Sequence, residues 1–320
     1  MKVIPYDEVK TKINNHESIT ILSHLNPDAD ALGTALGIYA LLSQDKSKKI
    51  EVVNASTALP QYLDFLPNFK KMKHKMDYKN SLVIACDCGS IDRLGFDLEG
   101  RDILNIDHHQ SNTDYGSVNI VIPEYASSSQ VAFKVFQKLY TIHADTATCF
   151  YAALLSDTRY FTTSLVNEEV FTVAQALVKA GAVPHDIAFN FTQRRPLSSL
   201  RILEKALASL SLYDDANIAT LMVSKEEIHA TGATVPDMEG IVDYARSLVT
   251  VEIAVFAMEL EEGRRISLRS KTADVSAVAM AFGGGGHKVA AGFTLKQSGL
   301  QQSMDTILSK IKELGLTDEK

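Results

Sequence analysis

The chain has 320 residues, of which 46 % are hydrophobic and 22 % charged, enough for two domains with sizeable cores. Its formal charge of −7, from 32 basic and 39 acidic residues, argues against a basic face that grips long duplex nucleic acid by neutralising many phosphates. Three cysteines make no disulfide framework, the N-terminus MKVIPYDEVK lacks an apolar signal core, and no run of about 18 apolar residues occurs, so a cytoplasmic protein without membrane contact is expected.

Taken in chain order, the first half alternates strand-like and helix-like segments. Residues 18–24 (SITILSH), 49–55 (KIEVVNA), 81–87 (SLVIACD), 102–108 (DILNIDH) and 118–122 (VNIVI) read as strands. Several are continuous apolar runs, as expected of parallel strands buried on both faces. Residues 31–42, 130–140, 146–156 and 168–180 read as helices, with Gly181 a stop for the last. The alternation predicts an α/β domain over 1–184 with a parallel sheet. A helical linker over 185–213 follows, its second piece starting near Pro196. From 214 to 320 the pattern is that of a smaller α+β domain: strand-like NIATLMVS, helix-like PDMEGIVDYARSL, then VTVEIAVFAMEL and RRISLRS joined by a charged turn at Glu261–Gly263, a helix over 275–282, and the strand-like AAGFTLK.

Four segments put Asp and His where predicted strands or helices end: SHLNPDADALG (23–33), ACDCG (85–89), NIDHHQSN (105–112) and LLSDTR (154–159). The carboxyl ends of strands in an open α/β sheet converge on one edge, so these side chains would gather there. Carboxylates with a few imidazoles suit Mn²⁺ or Mg²⁺ better than thiolate-bound zinc. Singly, each has a plain alternative. Asp28 or Asp30 would cap the helix near Ala31, Asp157 would serve as a satisfied buried carboxylate, and His108 and His109 as structural histidines. Asp87, after VIAC, would be costly in a buried strand without a partner. The joint occurrence favours a metal centre. Cys86 and Cys88 flank Asp87, and alternation puts both thiols on the face away from it for as long as the strand lasts, as small core fillers.

These motifs resemble those of the DHH phosphoesterase superfamily. Asp107-His108-His109 is its namesake, His24-x-x-x-Asp28-x-Asp30 its first motif, Asp87 and Asp157 its second and fourth. Gly284-Gly285-Gly286-His287-Lys288-Val289-Ala290-Ala291-Gly292 matches the signature of the DHH-associated domain. Five motifs in order, from about residue 18 to 295, make the resemblance specific. Ala29, where many relatives carry Gly, is the one local departure. Length and layout are most similar to the NrnA-like group of nanoRNases and pAp phosphatases.

The resemblance implies two divalent ions, Mn²⁺ foremost with Mg²⁺ or Co²⁺ as alternatives. His24 and Asp28 would hold one, Asp30, His108 and Asp157 the second, and Asp87 would bridge them. Asp107 would orient a histidine, and His109 would face the scissile phosphate. The glycines Gly284, Gly285 and Gly286, with His287, Arg269 and Lys271, would bind substrate: short single-stranded RNA or DNA, or 3′-phosphoadenosine 5′-phosphate (pAp). A cyclic dinucleotide (c-di-AMP or its product pApA) is the alternative substrate class. A catalytically inert nucleic-acid-binding homologue would be marked by a lost ligand, and every ligand is present. Relatives are often dimers, which leaves a homodimer open.

Overall fold

In the computed structural model, which describes residues 4–296 and 299–317, the apolar runs of the first half become parallel strands. The elements in order are α1 (Tyr6–Asn15), β1 (Ser18–Ser23), α2 (Ala29–Leu42), β2 (Lys49–Val53), β3 (Leu82–Cys86), β4 (Ile103–Asp107), β5 (Val118–Val121), α3 (Ser128–Phe136), α4 (Ala144–Asp157), α5 (Glu168–Lys179) and α6 (Pro184–Thr192). The sheet runs β2-β1-β3-β4-β5, all parallel. Alternate residues feed two cores. Ile19, Ile21, Leu82, Ile84, Leu104 and Ile106 join the large core on the helical side, whereas Leu22, Val53, Val83 and Ala85 join a smaller one with Leu94 and Leu98.

Chain order reverses between β1 and β3: β2 lies to one side of β1, and β3, β4 and β5 to the other. This is where an open α/β sheet leaves a crevice at the strand ends. α2 is buried nearly all round because it is packed between the sheet and α4. Its approach to α4 depends on Gly33 and Gly37. A Cβ at Gly33 would lie 2.7 Å from the Cys149 carbonyl oxygen and 2.8 Å from Ala153 Cβ, and one at Gly37 would enter the Phe150 ring.

At the end of β3 the structure corrects one expectation. Asp87 has φ +55, a left-handed conformation uncommon for a residue with a Cβ. The pleat therefore ends at Cys86, and the two thiols do not share a face: Cys86 packs in the large core and Cys88 in the smaller one. Both are buried and free, and Cys88 Sγ donates to the Ser90 carbonyl at 3.0 Å.

The chain divides into two compact units between Arg194 and Arg195. The helical segment 185–213 is shared between them. α6 belongs to the first, with Ile187 in its core and Phe191 edge-on to Phe65 at 5.4 Å; α7 (Leu197–Ala208) packs Ile202 and Ala206 into the second. The second unit continues with β6 (Ser211–Tyr213), β7 (Ile218–Val223), α8 (Lys225–Thr231), α9 (Ile241–Arg246), β8 (Ile253–Leu260), β9 (Gly263–Ser270), α10 (Val275–Ala281), β10 (Gly285–His287), β11 (Ala290–Leu295) and α11 (Leu300–Glu313). Its mixed sheet runs β10-β11-β9-β8-β7-β6 with only β7 and β8 parallel. Ile253, Val255 and Ala257 face α10 and α11, while Ala254, Phe256 and Met258 face α7 and α9. The helix read over 236–248 is interrupted at Gly240, φ +78, so that only α9 is α-helical. Among the described residues no helix is long and apolar enough to cross a membrane.

Gly33→Ala should destabilise the protein by about 1–3 kcal/mol, because the blocking atoms belong to the α4 backbone and to a short side chain. Urea denaturation measures this, and an unshifted midpoint would contradict the close α2–α4 contact.

Candidate metal centre

The ends of β1, β3 and β4, the N-termini of α2 and α3, and the C-terminus of α4 supply the polar side chains at the strand-order reversal. His24 follows β1, Asp87 follows β3, and Asp107 closes β4 with His108 and His109 after it. Asp30 lies in the first turn of α2 and Asp157 is the last residue of α4. Asp28 caps α2, accepting from the Ala31 N–H at 3.0 Å. It is also grouped with His24 and Asp87, so capping and ligation are compatible roles for it.

Three sets of potential ligand atoms each lie within 4.8 Å of one another: His24, Asp28 and Asp87; Asp30, His108 and Asp157; and Asp87, His108 and His109. All six residues named as metal ligands in the sequence fall in the first two sets. Asp87 stands between them. Its Oδ2 is 3.7 Å from His24 Nε2, an ionic contact too long for a hydrogen bond, and its Oδ1 is 3.7 Å from His108 Nε2.

The imidazoles are oriented by their other nitrogens. His24 Nδ1 donates to the Leu25 carbonyl at 2.8 Å, and His108 Nδ1 to the Tyr125 carbonyl at 3.2 Å. Both tautomers therefore turn Nε2 toward the carboxylates, the arrangement that prepares a histidine for a cation. His108 Nε2 lies 3.5 Å from Asp157, 3.7 Å from Asp87 and 3.9 Å from Asp30. His109 is held differently: its Nδ1 bonds Asp107 Oδ1 at 2.7 Å.

Electrostatics make this an unbalanced cluster. Asp30 is pushed well above the ordinary carboxylate range, by burial first and then by Asp87, Asp157 and Asp28. Asp157 is pushed up to about 7, chiefly by burial; His108 counters this, while Asp87 and Asp28 add to it. Its side chain is 35 % exposed, so water moderates that rise. Burial also opposes ionisation of Asp87, yet contacts with His24, His109 and His108 hold it far below the usual range. Burial would lower His109, but Asp107 and Asp87 raise it to about 9. Buried carboxylates that repel one another and face imidazole nitrogens on fixed tautomers are a donor set that fits hard to borderline divalent cations. Backbone and hydroxyl donors alone leave the repulsion in place.

Two residues of this site were missed in the sequence. From sequence, the run Ser127–Ser129 offers a helix cap or a phosphate contact, with capping the preferred reading, and Ser127 does cap α3. Yet the Ser128 N–H donates to Asp30 Oδ2 at 2.7 Å and its hydroxyl to Asp87 Oδ1 at 2.8 Å. Asn112 donates to Asp107 Oδ2 at 2.6 Å and to the Cys88 carbonyl at 3.1 Å, and accepts from Asn105 at 3.0 Å. The chain Asn105–Asn112–Asp107–His109 fixes the His109 ring through its carboxylate.

The residues named for substrate binding lie in the second unit. Gly285 and Gly286, expected to bind substrate, lie in β10, a strand paired with β11. His287 is opposite Ala290, and Arg269 of β9 is opposite Ala290 on its other side. Arg269 and His287 thus share one row and one sheet face. Gly284 and Gly286 have a packing reason: a Cβ at either would meet the β11 backbone within 2.5 Å. A Cβ at Gly285 meets nothing. The Lys271 ammonium donates to the Leu248 and Val249 carbonyls at 2.8 and 3.0 Å, which ties it to a loop.

Residues 18–154 match the DHH family, N-terminal domain, and residues 215–314 match the DHHA1 domain. The chain is 29 % identical to the bifunctional oligoribonuclease and PAP phosphatase NrnA of Thermus thermophilus, over 92 % of this chain and 89 % of that protein. It is 23 % identical to the protein of that name from Bacillus subtilis, over 90 % and 92 %. An exopolyphosphatase-related protein from Bacteroides fragilis, known from its crystal structure, superposes with a TM-score of 0.90 at 27 % identity over the whole of both chains.

The carboxylate imbalance has a measurable sign. A carboxyl whose folded pKa lies above its ordinary 3.8 stabilises the fold fully below that value, and the contribution is lost as pH rises through the folded pKa. With chelator present, thermal stability should therefore fall as pH rises from about 4 to 7, where Asp157 is forced to ionise, and Asp30, raised in the same direction, adds to the fall. Added Mn²⁺ or Mg²⁺ should abolish the fall and raise the melting temperature. Equal melting temperatures with chelator and with ion across this window would contradict the cation-binding reading.

Proposed function

For a chain that belongs to the DHH family, as this one does, we propose a Mn²⁺-dependent phosphoesterase that hydrolyses short RNA oligonucleotides and pAp. The observation that carries the reading is that one carboxylate, Asp87, groups with His24 and Asp28 on one side and with His108 and His109 on the other, His108 being also part of the Asp30 and Asp157 set. The names of the relatives, oligoribonuclease and PAP phosphatase, support the substrate class. Divalent ions held by His24, Asp28 and Asp87, and by Asp87, Asp30, His108 and Asp157, would supply Lewis acidity toward a phosphoryl group.

The protein's own residues divide the remaining work. Asp107 holds His109 by the 2.7 Å bond to Nδ1, and in the ion-free site Asp107 and Asp87 raise the pKa of the ring to about 9 against the effect of burial. A cationic imidazole beside the phosphoester stabilises charge building on its oxygens, or gives the leaving oxygen a proton. Hydrolysis consumes one water and breaks one P–O bond. It gives a nucleoside monophosphate and a shortened chain from RNA, and AMP with inorganic phosphate from pAp. Arg269 and His287, on either side of Ala290 in one row of one sheet face, are suited to hold an end phosphate or base. The net charge of −7 then limits the length of the substrate rather than excluding nucleic acid, since cationic groups are local. A cytoplasmic location agrees with these substrates.

Incubation with Mn²⁺ and a panel of a 5-mer RNA, pAp, pApA, cyclic di-AMP and pyrophosphate tests the proposal. Turnover of the 5-mer and pAp is expected; turnover of cyclic di-AMP alone would transfer the site to the cyclic dinucleotide class, and turnover of nothing with metal bound would make this a binding module. Asp87→Ala should lower hydrolysis by about a thousandfold or more, because it removes a donor from both sets. Activity within tenfold of wild type would refute the role of Asp87.

Replacing Arg269 or His287 by Ala should raise KM by about tenfold with kcat changed less, as expected for ground-state substrate contacts. Steady-state kinetics on pAp decide this, and an unchanged KM in both variants would remove them from the substrate site.

A further inference from the structure

The N-terminus of α3 meets the carboxylates from a different part of the chain. Ser128 is completely buried, and each of its donors is spent on an acidic residue of the candidate centre. Its N–H binds Asp30 Oδ2 at 2.7 Å, and the neighbouring Ser129 N–H binds Asp30 Oδ1 at 3.2 Å. Its hydroxyl binds Asp87 Oδ1 at 2.8 Å, with Asp107 Oδ1 farther away at 3.3 Å. The cap of α3 is made by another residue, Ser127, whose side chain accepts from the Gln130 N–H. The hydroxyl of Ser128 is therefore not needed to start the helix.

The placement of this hydroxyl is selective. Asp87 directs Oδ2 toward His24 and Oδ1 toward Ser128, His108 and His109, the last at 3.5 Å. A carboxylate free to rotate about Cβ–Cγ could turn both oxygens to the same set of donors. A hydrogen bond to Oδ1 fixes the plane and leaves one oxygen for each set. Asp87 itself sits on a left-handed backbone at the end of β3.

We propose that Ser128 is a positioning residue that pins Oδ1 of Asp87 and so makes the carboxylate available to both donor sets at once. The proposal rests on the metal-dependent reading above and deepens it: the hydroxyl mainly serves the set formed with Asp30, His108 and Asp157. Ser128→Ala removes the bond to Asp87 while leaving both backbone donors on Asp30, so it isolates this function.

The test is calorimetric titration of metal-free wild type, Ser128→Ala and Ser128→Thr with Mn²⁺ alone. Thermal unfolding of the metal-free proteins is run in parallel. Wild type should bind two ions. Ser128→Ala should weaken one of them by about 10–100-fold and the other by less than about threefold, as expected when a partner that orients a ligand is removed. Ser128→Thr, which keeps the hydroxyl, should restore the weakened ion. Wild-type affinity for both ions in Ser128→Ala, equal weakening of both, or a loss in Ser128→Thr as large as in Ser128→Ala would overturn the proposal. Hydrolysis of the 5-mer RNA and pAp by wild type is measured in the same buffer. If wild type binds two ions and hydrolyses neither, the proposed function fails while the role of Ser128 still stands or falls on the titration. If wild type binds no Mn²⁺, both fail.

Discussion

The rest of the structure depends on one buried carboxylate placed where two groups of donors can both reach it. Asp87 leaves β3 with a left-handed backbone, is almost completely buried, and sends one oxygen to His24 and the other to His108. Such a conformation in a residue with a Cβ costs about 1–3 kcal/mol and persists only where surroundings over-determine it. Here the Asp87 N–H donates to the Ile106 carbonyl at 3.0 Å, continuing the β3–β4 ladder through the bend. The hydroxyl of Ser128 then receives the turned side chain.

The fold brings the remaining acidic residues to this point. The sheet reverses order between β1 and β3, which opens the edge where His24 and Asp87 emerge. α2 carries Asp30 into that edge, and the two glycines of α2 let α4 approach closely enough for Asp157 to close the group. α3 points its N-terminus at Asp30, so backbone N–H groups and the helix dipole partly offset the negative charge. What they leave uncompensated shows in the raised pKa values of Asp30 and Asp157. Packing and the proposed function oppose one another here: the ion-free cluster is a local instability of the kind a bound cation would relieve.

Much of this was legible from residues alone, and the exceptions have physical reasons. Apolar runs such as SLVIACD and DILNIDH identify buried parallel strands because both faces of the sheet are covered. The Asp and His motifs announce themselves by falling at the ends of those runs. Ser128 does not, because its partners Asp30 and Asp87 are 98 and 41 residues away, and a serine before a helix has a sufficient local explanation as a cap. Asn112 is hidden for a similar reason, since its tie to Asp107 depends on the path of the loop after β4. The two cysteines were assigned to one face by alternation, a rule that fails where Asp87 leaves the pleat. α1 and α11 had a visible signal in Val9 with Ile13, and in Met304, Ile307 and Ile311, that went unread. The glycines before His287 invite a flexible-loop reading; packing of two of them against β11 shows why that tract pairs as a strand.

The proposed phosphoester chemistry relies on concentrated charge rather than on a reactive thiol, in keeping with thiols buried in the two cores and acidic groups that converge. The most direct test of Asp87 as the shared ligand is anomalous diffraction from crystals soaked in Mn²⁺, with data collected at the manganese edge. Two anomalous peaks are expected, one among His24, Asp28 and Asp87 and one among Asp30, His108 and Asp157, with Asp87 contacting both. A single peak, or two peaks of which Asp87 touches at most one, would contradict the account.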